Sequence, residues 1–391
     1  MRAAKTAPKP CHVYLTFGTN ASSSVIVHAH SSKAWTSAVV RYSMDTTLSI
    51  STAAMGIKMD LEITRYVYYA EISGLSPDTI YHFDVGDAAD PTSFATVRKF
   101  NTAPLSGPIQ FVSGGDLGTG PKTSKLIASA ATHDPLYMAL GGDIAYANAM
   151  RSCYQRWDQW IQLYTDNAVS PGGLTIPIVA SVGNHEAGGF AQPLSHMPYY
   201  TRYFVQESLN GRQPEDLPTH HVQYISNQVL VSLDSNVVAT PASQVDWLTS
   251  TLSTAPSGSF KTAIYHAPAY PSVRVFTDPD STAVRTSFVP VFDAHQLAVS
   301  FENHDHAYKR THRLKGGVAD ATGTLYVGDG AMGVDARIPA SSTAIPADRP
   351  YLAQRLGRSF YLLVSLDASS YNVTAIDDTA AIFDTYSSTY P

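Results

Sequence analysis

The first hundred residues alternate apolar and polar positions in short runs: HVYLTF at 12–17, SVIVHAH at 24–30, AVVRYS at 38–43, YVYYAEI at 66–72, TIYHFDV at 79–85 and FATVRKF at 94–100. Turn residues (Ser, Asn, Gly, Asp, Pro) separate the runs, and no helical period competes with them. The pattern predicts an all-β sandwich, and Leu75-Ser-Pro-Asp-Thr-Ile-Tyr81 has the turn-then-tyrosine form found before a late strand in fibronectin-type modules. After Asn101-Thr-Ala-Pro104 the pattern changes to alternating strands and helices: a strand at 109–113, a helix at 122–132, a strand at 136–140, and a helix at 153–165 with Trp157, Trp160, Ile161 and Tyr164 on one face. HVQYIS and QVLVSLD read as paired strands, SQVDWLTSTLS at 243–253 as an amphipathic helix, and the end of the chain returns to strands. The expected organisation is a fibronectin III-like β-sandwich over 1–103 and an α/β domain over 104–391.

Four apolar runs in the second half, IQFVS, LYMAL, IPIVASV and LAVSF, and the mixed run KTAIY each lead into a short polar motif. In order these are Gly115-Asp116-Leu117-Gly118, Gly142-Asp143-Ile144-Ala145-Tyr146, Gly183-Asn184-His185-Glu186, Tyr265-His266-Ala267-Pro268 and Asn303-His304-Asp305-His306. Polar groups gathered at the ends of buried strands make an open site, as in α/β sheets generally.

Composition narrows the classes without choosing one. With 391 residues and 44% hydrophobic content the chain can bury a large core. The formal net charge of -6, without a Lys/Arg block, excludes a nucleic-acid surface. No run is long enough for a membrane span, and the basic start MRAAKTAPKPCHVYLTF lacks the apolar stretch of a secretion signal. Cys11 and Cys153 have no metal spacing and are expected as two buried thiols, with a single interdomain bridge as the alternative.

The five motifs carry the chemistry. Asp116, Asp143 and Tyr146 offer anionic oxygen once ionised, Asn184 a neutral carbonyl, and His266, His304 and His306 imidazole nitrogen. The phenolate suits a trivalent ion such as Fe(III), and the Asn/His mixture a divalent ion such as Zn(II), Fe(II) or Mn(II). Asp143 is the natural bridge between the two, because Tyr146 reaches one ion from the same loop. Three anionic ligands against a trivalent and a divalent ion leave about two positive charges, a receptor for a phosphate dianion. Attack by a metal-held hydroxide follows, with His185 as proton donor to the leaving group and Glu186 placed to orient it or set its charge.

These motifs resemble the metallophosphoesterase superfamily and, within it, the purple acid phosphatases. Gly118, where the wider superfamily carries a histidine, and Tyr146 in the second motif mark the narrower group. The likeness extends through Val231-Ser-Leu-Asp234, Gln244-Val-Asp-Trp247, His266-Ala-Pro268-Ala-Tyr270 and His306-Ala-Tyr-Lys-Arg310. It implies an αββα sandwich for the second domain and hydrolysis of phosphate monoesters. It also implies Fe(III) on Asp116, Asp143, Tyr146 and His306, a divalent ion on Asp143, Asn184, His266 and His304, and a colour from tyrosinate-to-iron charge transfer. Family members are commonly secreted or lysosomal.

The chain departs from the family at two places. Asn303 replaces the glycine before the last His-x-His, and Val275-Phe276 stand where the large plant-type enzymes carry paired histidines. Arg274 or Arg285, with Tyr270 as a wall, is therefore expected to contact the phosphate of a small ester substrate. Phosphodiesterase or phytase-like activity is the runner-up, and an inactive β-sandwich adhesion or binding protein is the alternative of a different class. Asp305 is expected to face away from the metals, solvated or supporting a ligand; His28, His30 and His221 read as structural or surface groups.

Overall fold

The computed structural model describes residues 9–60, 64–339 and 344–390. The alternating amino-terminal runs form β1 (His12–Phe17), β2 (Ser24–Ser31), β3 (Ala38–Ser43), β4 (Ile50–Ala53), β5 (Met55–Asp60), β6 (Thr64–Ser73), β7 (Ile80–Asp87) and β8 (Arg98–Asn101). They make two antiparallel layers, β1-β2-β6-β5 and β4-β3-β7-β8. Val13, Leu15, Val27 and Tyr68 of the first share a core with Val40, Phe83, Val85 and Phe100 of the second. The Ser76 N–H donates to Tyr81 Oη at 3.0 Å, the corner bond that ties such a turn to its strand.

The second half contributes β9 (Ile109–Gly114), β10 (Met138–Leu140), β11 (Ile178–Ala180), β12 (His221–Ile225), β13 (Gln228–Ser232), β14 (Phe260–Ile264), β15 (Val299–Glu302), β16 (Tyr308–Lys315), β17 (Val318–Ala319), β18 (Thr324–Gly328), β19 (Leu352–Leu356), β20 (Phe360–Leu366), β21 (Ser370–Asp377) and β22 (Ile382–Thr389). One sheet runs β12-β13-β14-β15-β18-β16-β17, with β19 beside β16. The other runs β22-β21-β20-β9-β10-β11 and then continues into the amino-terminal layer, because β1 pairs in parallel with β11 at Thr16 and Ile178. β10 and β11 are three residues each, shorter than the apolar runs that foretell them. Pro177, just before β11, has no N–H to extend that ladder.

The two sheets pack face to face. Phe111 stacks on Tyr137 at 4.8 Å and meets Phe301 of the other sheet edge-on at 5.8 Å, and the Tyr137 hydroxyl donates to Gln228 at 2.7 Å. Helix Tyr154–Asn167 buries Trp157, Trp160, Ile161 and Tyr164 on the outer face of the sheet that contains β11 and β1, as its spacing requires. On the outer face of the sheet that contains β14 and β15, Phe288 and Phe292 from residues 288–295 pack on Tyr265. The architecture is an αββα sandwich behind a fibronectin-like β-sandwich.

Cys11 and Cys153 are free, and Cys11 is exposed instead of buried. It opens the chain's first strand pairing, its thiol donating to His30 O at 3.2 Å. Among the described residues, no helix is long and apolar enough to cross a membrane.

Candidate metal centre

β9, β10 and β11 are mutually parallel, as are β13, β14, β15 and β18. Asp116 follows β9, Asp143 follows β10, Asn184 follows β11, His266 follows β14, and His304 and His306 follow β15. The two sheets thus deliver every foreseen ligand at carboxyl-terminal strand ends. They are tied there directly: the His304 N–H, in one sheet, donates to Asp116 Oδ2, in the other, at 2.8 Å.

The backbone at these positions is strained. Asp116, Asp143, Tyr146, His304 and His306 have φ of 57°, 51°, 55°, 80° and 52°, the left-handed region that non-glycine residues avoid. Such conformations persist only where surrounding contacts enforce them, and they cluster at functional sites.

The side chains converge into two groups that share Asp143. One comprises Asp116, Asp143 and His306; the other comprises Asp143, His266 and His304. In the first, His306 Nε2 lies 3.0 Å from Asp116 Oδ1, and the Tyr146 hydroxyl is 3.3 Å from each. In the second, His266 Nε2 lies 3.2 Å from Asp143 Oδ2 and 3.0 Å from both His304 Nδ1 and Asn184 Oδ1. His266 Nδ1 bonds Gly141 O at 2.9 Å, which turns Nε2 toward the group.

Two observations test whether the donor set fits metal ions. Asp143 Oδ2 is buried with no hydrogen-bond partner, an orphan that a cation would satisfy. Burial opposes charge on His266, yet Asp143 and Asp116 outweigh it and push the imidazole up to about 9, so the pocket attracts positive charge. Burial, then the charges of Asp116 and Asp143, holds the Tyr146 hydroxyl well above its ordinary value, so a phenolate there needs a strong cation beside it. The donors fit a pair of cations bridged by Asp143.

His185 sits at the opening. Its side chain is 32% exposed, Nε2 is 3.6 Å from Asp143 Oδ2, and its ring centroid is 4.3 Å from that of Tyr146. Glu186 does not orient it. The Glu186 carboxylate instead accepts the N–H groups of Asp143 at 2.8 Å, Ile144 at 2.9 Å and Gly183 at 2.8 Å, clamping the second motif to the third. Burial, then Asp143, raises its pKa. The partner of His185 is Asn148, whose Oδ1 meets Nδ1, a residue outside the motifs that the sequence reading missed.

The expected substrate residues fare differently. Tyr270 is no wall of the opening: it is 1% exposed and its ring packs on Tyr326, Tyr351 and Phe276. Arg285 stacks on Phe276 and donates to Ala269 O and Phe276 O, turned toward its own loop. Arg274 does reach the ligands, but as a brace, donating to His304 O at 2.9 Å and to Asp305 at 2.7 Å. Asp305 is fully buried, not solvated, and also accepts the N–H groups of Val273 and Arg274. Asn303 fills the space where added Cβ atoms on Gly115 and Gly141 would fall, and its Nδ2 donates to Tyr265 O at 2.9 Å. Beneath the ligands, Lys309 pairs with Glu302 at 2.5 Å and Asp329 at 2.9 Å. Phe190, edge-on to His304 at 5.0 Å, and Arg337, whose guanidinium lies 3.4 Å from His306 Nε2, border the site without any motif to announce them.

A sequence model of the purple acid phosphatase N-terminal domain matches residues 10–102. A purple acid phosphatase from yellow lupin seeds superposes with a TM-score of 0.80 over 98% of this chain and 75% of that one, at 16% identity. The fold is that of a purple acid phosphatase. Purple acid phosphatase 15 of Arabidopsis thaliana is 23% identical over 68% of this chain and 53% of its own length, and probable purple acid phosphatase 20 of the same plant 28% over 66% and 59%. An uncharacterized protein of Mycobacterium tuberculosis is 24% identical over 83% of this chain and 66% of its own length. The chain thus spans between 53% and 66% of the length of these relatives. A protein described as the anchor in the inner membrane complex of Plasmodium also superposes, with a TM-score of 0.53 over 73% of this chain and 90% of that one, at 13% identity. The purple acid phosphatase fold alone therefore leaves activity to be argued from the site.

Proposed function

We propose that this chain hydrolyses phosphate monoesters with a pair of metal ions, Fe(III) on Asp116, Asp143, Tyr146 and His306 and a divalent ion on Asp143, Asn184, His266 and His304. The observation that carries the reading is Asp143, shared by two donor groups, whose buried Oδ2 accepts no hydrogen bond among the described residues and faces the imidazoles of His266 and His185. Bound cations would supply positive charge for the phosphoryl oxygens and lower the pKa of a water. The chain's own residues do the rest. His185 is the proton donor to the leaving alkoxide, held through Nδ1 by Asn148 with Nε2 toward the site. Glu186 and Arg274 are positioning residues that fix the ligand loops. The completeness of the donor set argues against an inert binding protein.

The test has two arms. Protein purified with iron should show a broad visible absorption that Tyr146→Phe abolishes; an unchanged band in that variant sinks the tyrosinate assignment. Turnover of phenyl phosphate should exceed that of a diester such as bis(p-nitrophenyl) phosphate. His185→Ala should lose roughly 10²–10⁴-fold in kcat at unchanged metal content. Equal turnover in the variant removes the assigned role.

A further inference from the structure

Of Arg274, Arg285 and Arg337, one has a guanidinium held by no carboxylate or carbonyl among the described residues. Arg274 is held by the buried Asp305 carboxylate and by His304 O. Arg285 is turned onto the carbonyls of Ala269 and Phe276. Arg337 is exposed and has no carboxylate partner among the described residues. Its own N–H donates to His306 O at 2.8 Å, pinning it beside that ligand, and its guanidinium faces His306 Nε2 at 3.4 Å. A cation taking that nitrogen would turn the guanidinium away, yet the backbone bond keeps it at the mouth.

The border of the other donor group is apolar. Phe190 is half-buried, edge-on to His304 at 5.0 Å and 6.4 Å from His266. An apolar ring beside a charged site has a use when a ligand covers it.

We propose that Arg337 is the side chain that grips the phosphate of the substrate, and that Phe190 seats its organic half. The ligand class is then a singly phosphorylated ester with an aromatic or aliphatic organic group. A guanidinium matches two phosphate oxygens at once, and one such fork serves one phosphoryl group. A polyphosphorylated ligand would meet an apolar border where it needs further cations. The proposal rests on the phosphoesterase reading above for the identity of the ligand.

Full-chain, metal-loaded protein is titrated calorimetrically with inorganic phosphate, and phenyl phosphate is compared with glycerol 2-phosphate in turnover. Arg337→Ala should weaken phosphate binding about ten-fold or more, the loss of a charge-assisted hydrogen-bond pair. It should raise KM for both esters more than it lowers kcat, with Arg337→Lys recovering part and metal content unchanged. Phe190→Ala should raise KM for phenyl phosphate several-fold more than for glycerol 2-phosphate. Phosphate binding as tight in Arg337→Ala as in wild type would overturn the role of Arg337. Equal KM changes for the two esters in Phe190→Ala would overturn the apolar seat. A wild-type protein that hydrolyses neither ester refutes the hydrolase reading instead, and the calorimetry still decides Arg337.

Discussion

Asp143 and Asp116 are held in left-handed backbone by contacts that only the folded chain supplies, and Glu186 is the chief of these for Asp143. Its carboxylate accepts three N–H groups that belong to two ligand motifs. Glu186→Gln replaces one acceptor oxygen by a donor facing those N–H groups. We expect a loss of about 1–3 kcal/mol in unfolding free energy, with weaker metal retention on chelator challenge. Denaturant melts that coincide with wild type would show the clamp to be dispensable. The seven candidate donors were legible because each lies in a short motif whose side-chain type states its chemistry. Glu186 was legible as a residue and misread in role: adjacency to His185 suggested a partnership, whereas the short helical turn Asn184–Ala187 points its carboxylate back at Gly183 and across to Asp143. Arg337 was not legible at all, since nothing near it in the chain marks a site.

At the scale of strands and loops, the foreseen elements formed where apolar runs predicted them, and the ligands lie on the turns that follow. What the runs did not state is how the turns of different strands fit together. Asn303 follows β15 in one sheet, yet it lies against Gly115 and Gly141, which follow β9 and β10 in the other. The departure from the family glycine is thus matched by glycines across the sheet gap. Asn303 has no positive φ, so the backbone there accepts a side chain. Gly141→Ala should destabilise the protein, because its Cβ meets the Asn303 side chain on every near contact. Asn303→Gly should also destabilise, leaving Tyr265 O without its donor. The two together should lose less than the sum, with a coupling on the order of 1 kcal/mol or more in a double-mutant cycle followed by thermal melts. Strict additivity would mean that the two loops do not share the space.

Over the whole molecule, the β-sandwich is joined to the α/β half by a shared sheet, β1 lying against β11. The joint buries histidines that were read only as structural or surface groups. His28 is fully buried, stacked on Tyr14 at 4.8 Å, with Nε2 2.9 Å from Thr16 Oγ1, and the Thr16 hydroxyl donates onward to Val205 O at 2.5 Å. Burial lowers its pKa to about 3, and burial lowers that of His221 to about 4. An unfolded histidine titrates near ~6.5, so between that pH and the folded values the unfolded chain takes up protons that the fold refuses. Stability therefore falls as pH drops below about 6.5, and the His28 contribution is lost progressively until about pH 3. Replacing His28 by Gln removes that titration. The variant's Tm should fall less than that of wild type between about pH 7 and about pH 4.5, while acid release of metals affects both alike. Parallel declines would show that His28 does not sense the acid.

By itself the sequence determined the β-sandwich followed by alternating strands and helices, the order of the polar motifs, and the donor chemistry that each motif carries. Those depend on the period of apolar residues and on donor chemistry within a few positions, both carried by near neighbours. Only the tertiary structure decided that Asp143 is shared and keeps a buried oxygen without a hydrogen bond, that Asp305 and Tyr270 are buried, and that Arg337 and Phe190 stand at the mouth. Those facts depend on which loops, within one sheet and between the two, come to lie against each other. Contacts between residues tens of positions apart or more leave no local period in a single chain.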